Sequence, residues 1–437
     1  MRFRRLSLCI ALGALAVAPA LAGPLADRQV LPNGVVLLVA ERPAIPIVVV
    51  RVHLRAGSVY DPTDAGGLAN LTADVLTRGT AKRTGPELDS AIEFVGGSLE
   101  GDAGRDGVTV GLSVLRKDLA LGLDLLAEVL LQPAFPEAEL KRRREEIAAG
   151  IQRSEQDPQI VAGRAMAELL YPGHPYSRPV SGTVESVRRL TREQVAAFHR
   201  ENYRPDVAVI SVVGDVTRDE IRRDLVARLS AWTAPAVPRP AIPQAPTSPP
   251  IETRRIERDL TQATVSLARP GIRQDHPDYF PLVVANYILG GGSASRLYTK
   301  VREERGLAYS VYSALGAGRY GSSYFVGLQT RLEAVDEAVR LMKEEMARMR
   351  REAVTPRELE AAKSYLIGSY PLRTDTSGKM AGLLVAVEEN QLGLDWPDRF
   401  KAGISRVTAV DIRRVATTYM DPATFSSVTV GKYAGGK

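Results

Sequence analysis

The chain has 437 residues, of which 45 % are apolar and 25 % charged, a composition typical of soluble globular proteins of roughly two to four domains. The formal net charge of +6 falls further if Arg2, Arg4 and Arg5 are removed with a signal peptide, and no compact basic patch with interleaved aromatic residues is present, so the sequence gives no support for nucleic-acid binding. The only cysteine is Cys9, so the rest of the chain has neither a disulfide nor a thiolate metal ligand.

Residues 1–22 predict a secretory signal peptide. A basic start is followed by an apolar core from Leu6 to Val17 and by Ala20-Leu21-Ala22, a cleavage site of the A-x-A kind. The alternative is a retained membrane anchor, but the apolar run is shorter than the roughly 20 residues that a membrane span needs. We therefore expect cleavage after Ala22 and a periplasmic or secreted protein.

The first half of the mature chain alternates between strand and helix patterns. Two strands are expected between Gln29 and Ala40 around a Pro-Asn-Gly turn, and a β-branched run predicts a third at Ile47–Leu54. A helix is expected within Gly67–Thr80, and Thr84 with Glu87 forms the pattern of a capping box. The next expected elements are strands at Ser98–Gly104 and Val108–Leu115 and helices from Lys117, Pro136 and Gln159.

A proline-rich stretch, residues 233–252, predicts a stiff linker between an N-terminal domain (residues 23–232) and a C-terminal domain (residues 253–437). Such a linker would allow the two halves to move as rigid bodies. In the second half the expected elements are strands at Val265–Ala268 and Tyr324–Gln329, a helix at Pro281–Leu289, and helices at about 332–351 and 356–368.

The two halves end in similar segments. Leu190 and Val407 each precede a Thr-capped amphipathic helix, followed at the same spacing by Pro205 or Pro422 and then by an alternating apolar strand. We infer a duplicated domain, with a coincidence of two helix–strand units as the alternative. The expected fold class is α+β: two homologous α/β-sandwich domains, each a mixed, mostly antiparallel sheet with helices packed on it.

Several motifs together resemble the insulinase/pitrilysin-type zinc peptidases, or inverzincins, in their two-domain bacterial form. They are Gly57-Ser58, GGLAN with a Gly-Thr stop, HPYSRPVSGT, NYRPD, VVGDV and, as the most specific, LGGGSASRLYTKVREERGLAYSVYS. The resemblance covers nearly the whole mature chain. It implies that the two domains form half of a clamshell around an unfolded peptide.

The resemblance also shows what this chain lacks. Active members carry H-x-x-E-H on a helix, where two His bind Zn²⁺ and the Glu activates the metal-bound water, and a later Glu is the third ligand. Here the helix positions are Asn70, Ala73 and Asp74, and the later position is Gly150. Arg143 replaces a supporting Glu, and its positive charge would repel Zn²⁺. No two of the four histidines stand one helical turn apart, so we expect no metal in this chain.

The resemblance assigns substrate contacts to Arg302 and Tyr309, separated as R-x6-Y. In the family this pair faces the zinc across the cleft, where the guanidinium donates to a substrate carbonyl and the phenol to the oxyanion. The alternative is a surface arginine and a packed tyrosine. Gly290, Gly291 and Gly292 resemble the family's glycine-rich loop and would permit close approach of a peptide, with a plain helix stop as the competing interpretation.

Three functional hypotheses follow. In the first, the chain is the non-catalytic subunit of a heterodimeric zinc metallopeptidase: the partner supplies zinc, and this chain, inactive alone, supplies Arg302 and Tyr309. In the second, it is a catalytically inactive, homo-oligomeric peptide-binding or scaffold protein of the envelope. The third, an autonomous hydrolase with an unrecognised site, is disfavoured by the few His and Cys.

Glu100-Gly101 replace the Asn-Ala of the family's substrate-binding edge strand, which disfavours peptide pairing with the first domain.

Overall fold

The computed structural model describes residues 25–234 and 238–432. The predicted signal peptide and residues 235–237 of the linker lie outside this range. Within it, no helix is long and apolar enough to cross a membrane.

The first half of the chain builds one six-stranded sheet. Its strands are β1 (Asp27–Val30), β2 (Val36–Glu41), β3 (Ile47–Leu54), β4 (Ser98–Ala103), β5 (Val108–Leu115) and β6 (Ala208–Gly214). They are ordered β1-β2-β6-β3-β5-β4, with β2 and β6 parallel and all other neighbours antiparallel. β3 and β5 alternate between buried and half-buried residues, whereas every residue of β6 is buried. The centre of this sheet is therefore covered on both faces.

The helices of this half follow the expected order. They are α1 (Leu68–Val75), α2 (Gly85–Phe94), α3 (Leu119–Leu131), α4 (Glu137–Ser154), α5 (Pro158–Leu170), α6 (Val184–Arg189), α7 (Arg192–Asn202) and α8 (Arg218–Leu229). The predicted capping box of α2 is confirmed, since Thr84 N donates to the Glu87 carboxylate (2.8 Å) and Glu87 N donates to Thr84 Oγ1 (3.4 Å).

The second half builds a five-stranded sheet. Its strands are β7 (Thr253–Glu257), β8 (Gln262–Pro270), β9 (Ala308–Gly316), β10 (Ser323–Arg331) and β11 (Ser426–Gly431), ordered β7-β11-β8-β10-β9. Its helices are α9 (Tyr279–Gly290), α10 (Val335–Arg351), α11 (Pro356–Gly368), α12 (Ser377–Glu389), α13 (Trp396–Arg406) and α14 (Ala409–Tyr419), with a π-helical turn at Tyr298–Glu303.

The duplication is visible in the topology. The order β2-β6-β3-β5-β4 of the first sheet recurs as β7-β11-β8-β10-β9, and β7 pairs with β11 in parallel as β2 does with β6. The predicted α+β fold with two homologous domains is confirmed. The sequence patterns did not predict β7, β9, α6, α8, α12, α13 or the π-helical turn.

Each domain lends one helix to the sheet of the other. α5 packs on β8 and β11 of the second sheet, where Met166 lies in a buried cluster with Val428 and Val430. α12 packs on β3 and β6 of the first sheet, where Leu384 clusters with Val209, and Ser211 Oγ donates to a carbonyl of α12 (3.0 Å). Burial of these apolar faces ties the two halves together.

The turn between β9 and β10 adds polar contacts to the same junction. Tyr176, from the HPYSRPVSGT motif, donates its hydroxyl to Asp106 and accepts from Tyr320 N (3.1 Å), while Arg319 N donates to Asp106 (2.9 Å). His174 of the same motif contacts a linker carbonyl, with its Nε2 3.0 Å from Pro243 O. The linker is thus fastened along the junction. The linker sequence alone would allow the two domains to move as rigid bodies. In the folded chain, such a motion would have to separate both helix–sheet contacts.

We expect the two domains to unfold together because each sheet is covered by a helix of the other half. The chain has two tryptophans, the buried Trp232 in the first domain and Trp396 in the second, so W232F and W396F variants allow each domain to be followed by fluorescence. Leu384→Ala should cost about 2–5 kcal/mol and shift both denaturation curves equally. Leu372→Ala, the same change at an exposed position, is the control. A shift seen by one tryptophan only would contradict the interlocked arrangement.

Candidate functional site

Helix α1 carries the positions at which the resembled family places its metal ligands and its base. Asn70 and Asp74 are half-buried on this helix, and Ala73 is buried. A Cβ at Gly101 of β4 would lie 2.4 Å from Ala73 O, so close packing of α1 on β4 requires glycine there. The neighbouring Glu100 is exposed, and β4 pairs within its sheet on one side only.

An ion pair joins α1 to α4 at this place. Arg143 donates from Nε and Nη2 to the carboxylate of Asp74 and from Nη1 to Glu146. The hydrogen bond with Asp74 raises the pKa of Arg143, so the guanidinium remains charged. The Arg143 and Asp74 side chains are 24 % and 23 % exposed, so solvent screens the pair only in part. Arg143 therefore contacts one of the degenerate metal positions directly.

The residues present do not fit zinc. Zinc in proteins takes imidazole, thiolate and carboxylate ligands, whereas Asn70 offers an amide, Ala73 a methyl group, and Asp74 a carboxylate that is already paired. Gly150 on α4 has no side chain to offer. In the described part of the chain, no three or more His, Cys, Asp or Glu side chains form a group able to bind a metal ion.

The histidine side chains have contacts away from α1. They are His53 Nδ1 with Thr109 Oγ1 (3.3 Å), His174 Nε2 with Pro243 O (3.0 Å), His199 Nε2 with Leu130 O (3.0 Å) and His276 Nδ1 with Asp278 N (3.0 Å). Burial lowers the pKa of His199 to about 4. These contacts are those of structural histidines.

The structure brings Arg302 and Tyr309 together. Arg302 lies in the π-helical turn and Tyr309 near the start of β9, with Arg302 Cζ 5.7 Å from the centroid of the Tyr309 ring. This is a cation–π distance. Tyr309 is 76 % exposed, unlike the packed tyrosine of the alternative interpretation. The pair can thus offer a guanidinium and a phenol to a ligand outside the domain.

A β-bulge sets the direction of Tyr309. Ser310 is opposite Gln329 of β10, but the next pair is Ala308 with Thr330, so Tyr309 is the extra residue. A bulge in an edge strand increases local twist and re-aims one side chain. β9 is the last strand of its sheet, and the Tyr309 ring is exposed to solvent.

Tyr298 belongs to the same group, although no sequence motif assigned it a role. Its hydroxyl accepts from Arg302 Nη1 (2.8 Å), and its ring centroid is 4.7 Å from Arg302 Cζ. Arg302 is therefore within cation–π distance of two aromatic rings, and the hydrogen bond to Tyr298 holds its Nη1 in place. Tyr298 stands one helical turn before Arg302, and this spacing is the sequence signal that could have identified Tyr298.

The glycines at the end of α9 lie against the chain itself. A Cβ at Gly290 would lie 2.6 Å from Ser313 N, one at Gly291 2.7 Å from Tyr287 Cα, and one at Gly292 3.1 Å from the Tyr287 ring. Gly290 thus lets α9 approach β9, and Gly291 follows the last helical residue. A helix end with close packing accounts for these glycines, and contact with a peptide stays a prediction.

Two family profiles match the chain. Residues 36–184 match the profile described as Insulinase (Peptidase family M16), and residues 189–366 match the one described as Peptidase M16 inactive domain. A Mycobacterium leprae protein named as an uncharacterized zinc protease is 28 % identical over 414 residues, 94 % of this chain and 92 % of that protein. A Helicobacter pylori protein named as a non-peptidase homolog is 26 % identical over 359 residues, 81 % of this chain and 82 % of that protein.

Solved structures agree with these matches. A peptidase M16 inactive domain from Pseudomonas fluorescens has a TM-score of 0.88 at 28 % identity, covering 94 % of this chain and 99 % of that one. A protease from Helicobacter pylori has a TM-score of 0.85 at 19 % identity, covering 93 % of this chain and 99 % of that one, which is a likeness in fold. The resemblance predicted from the sequence motifs is confirmed.

Zinc binding should return only if both the missing ligands and the charge of Arg143 are changed. The substitutions N70H, A73E, D74H and G150E supply the family's side chains, but Arg143 would remain beside them. With R143M added, we expect about one zinc per chain after dialysis, and much less without it, because the guanidinium repels the cation. The unmodified chain is the baseline for metal analysis. Equal zinc content with and without Arg143 would show that its charge is not an obstacle.

Proposed function

The chain is a non-catalytic member of the insulinase-type (M16) peptidase family, and we propose that it is one subunit of a heterodimeric zinc metallopeptidase. A zinc-bearing subunit of the same family would be its partner, and an unfolded peptide the substrate held between them. The predicted signal peptide supports a periplasmic or secreted location for the complex.

One contrast carries this proposal. The α1 positions of a metal site are filled by a side-chain ion pair and a buried methyl group, whereas the half-buried Arg302 lies beside the exposed ring of Tyr309. A chain that had lost all contact with substrate would have no need of this pair. A chain that contributes the pair to a partner's active site needs it and needs no metal of its own.

The side chains of this subunit would bind and orient the substrate. Tyr309 would donate its hydroxyl to the oxygen that becomes negatively charged during peptide cleavage, and Arg302 would donate to a neighbouring substrate carbonyl. Tyr298 would act as a positioning residue, since it accepts from Arg302 Nη1 and leaves Nη2 and Nε for the substrate. The metal and the general base would come from the partner.

Closure of the active-site chamber would then be a movement between subunits. Within this chain, α5 and α12 tie each half to the sheet of the other, and Glu389 at the end of α12 accepts from Arg55 Nε (3.0 Å) and Arg319 Nη1 (3.4 Å). A hinge between its own domains would break these contacts.

Tyr309→Phe tests the role of the phenol. In the assembled pair we expect kcat to fall about 100-fold or more with little change in KM, because one donor to the developing oxyanion is lost. Tyr312→Phe, which removes the hydroxyl of another exposed tyrosine on β9, is the matched control and should leave kcat unchanged. Full activity of the Y309F pair would rule out the transition-state role.

Co-purification tests the partnership itself. The tagged chain, expressed with the reading frames encoded beside it, should bring down a zinc-containing relative, and only the pair should hydrolyse peptides. Arg302→Ala should abolish that hydrolysis without dissociating the pair. A metal-free, inactive homo-oligomer would instead favour the peptide-binding scaffold.

A further inference from the structure

A separate cavity of about 760 Å³ lies where the linker crosses the first domain. Its walls are the last turns of α7, the segment that leads into α1, and linker residues 238–240. A volume of this size is typical of pockets that bind small molecules. It contains none of the residues of the Arg302–Tyr309 site.

Arg239 is the residue of this cavity with the most unused hydrogen-bonding capacity. Its Cζ lies 3.9 Å from the centroid of the Tyr60 ring, and its Nη2 donates to Arg55 O and to Asn202 Oδ1 (3.4 Å). Its Nε is buried and has no partner in the described chain, and Nη1 has no acceptor there either. A guanidinium carries five N–H donors, so most of those of Arg239 are unfilled.

Arg239 also has no anionic partner among the described residues. The other two arginines of the cavity are matched, Arg204 by Asp206 (2.8 Å) and Arg200 by Glu201 (3.5 Å). Burial is the largest influence on the pKa of Arg239 and lowers it; Tyr60, Tyr320 and Asp206 act against this effect, and the positive charge of Arg204 acts with it. A partly buried cation without an anion is unfavourable, and a carboxylate at this point would remove the imbalance.

The end of α7 does not supply that negative charge. Helix C-termini attract cations through their free carbonyls. Here the Phe198 carbonyl accepts from Asn202 Nδ2 (3.0 Å) and the His199 carbonyl from Tyr203 N (2.9 Å). These two oxygens already have donors, and Glu201, the carboxylate of α7 in this cavity, pairs with Arg200.

Part of the lining is apolar, beside the polar Gln194, Asn202 and Glu201. Tyr60, Leu68, Phe198 and the linker prolines face the same cavity. Apolar and aromatic walls with a small number of well-placed polar or charged groups are the usual make-up of a small-molecule site. The shape and chemistry suit a ligand with one carboxylate and an apolar or aromatic body.

We propose that this cavity binds such an organic carboxylate, with the carboxylate on Arg239 and the apolar body against Tyr60 and Phe198. The carboxylate can be the C-terminus of a short peptide or that of a free acid. The site is independent of the peptidase partner and is accessible in the chain alone.

The test compares N-acetylphenylalanine with its neutral amide by calorimetry on the full mature chain. We expect saturable binding of the acid and at least about tenfold weaker binding of the amide, since a charge-assisted hydrogen bond is lost. Equal affinities, or no saturation by the acid up to about 10 mM, would overturn the proposal.

Two variants locate the contact. Arg239→Gln should reduce acid binding to the level of the amide while leaving amide binding unchanged, which also shows that the cavity is still formed. Arg200→Gln, in the same cavity but matched by Glu201, is the control and should change acid binding less than about threefold. Retained acid affinity in R239Q would overturn the assignment. Once binding of the acid is established, the affinities of Ala-Ala-Phe and 3-phenylpropionate distinguish the two sources of the carboxylate. Tighter binding of the peptide identifies a peptide C-terminus, and equal or weaker binding of the peptide identifies a free acid.

Discussion

The structure depends on the reciprocal exchange of two helices. β6 is buried along its whole length because its own domain covers one face and α12 covers the other. α5 does the same for β8 and β11 of the second sheet. A sheet with one apolar face open to water would be unstable alone or prone to association. Neither half is therefore complete without the other, and the chain behaves as one body although its sequence reads as two domains.

The repeat also explains how the domain tolerates the absence of a metal. α1 and α4 of the first domain correspond to α9 and α11 of the second. In both pairs, side chains cross the gap: Arg143 reaches Asp74 in one, and Tyr365 stacks on Tyr287 in the other, with ring centroids 4.7 Å apart. The space between the helices is thus occupied by a polar contact in one domain and by an aromatic contact in the other. Such contacts replace the cross-link that a bound ion would provide, and no cavity has to be maintained.

Elements with a strong local sequence signal were predicted well, whereas features that depend on contacts between distant parts of the chain were predicted poorly. β3 was predicted with its observed ends because a β-branched run has one strong preference, and the α2 capping box needs only Thr84 and Glu87. The Arg143–Asp74 pair joins residues on different helices, so the sequence could place Arg143 nearby but could not establish contact. The bulge at Tyr309 depends on the register with β10, which no local pattern encodes. The sequence did not predict α12, and for α5 an amphipathic pattern shows that one face is buried but not which surface it packs against.

The arrangement at Tyr309 is not explained by the folding of its own domain. A ring that is 76 % exposed gains little from burial, and a bulge leaves one residue of the ladder unpaired. The cation–π contact with Arg302 returns only about 0.5–1 kcal/mol at an exposed site. An in-register strand with a small residue there would satisfy the sheet better. The position of Tyr309 is therefore best understood through a group outside this chain, and the oxyanion of a substrate in a partner's active site is a group that the phenol can serve.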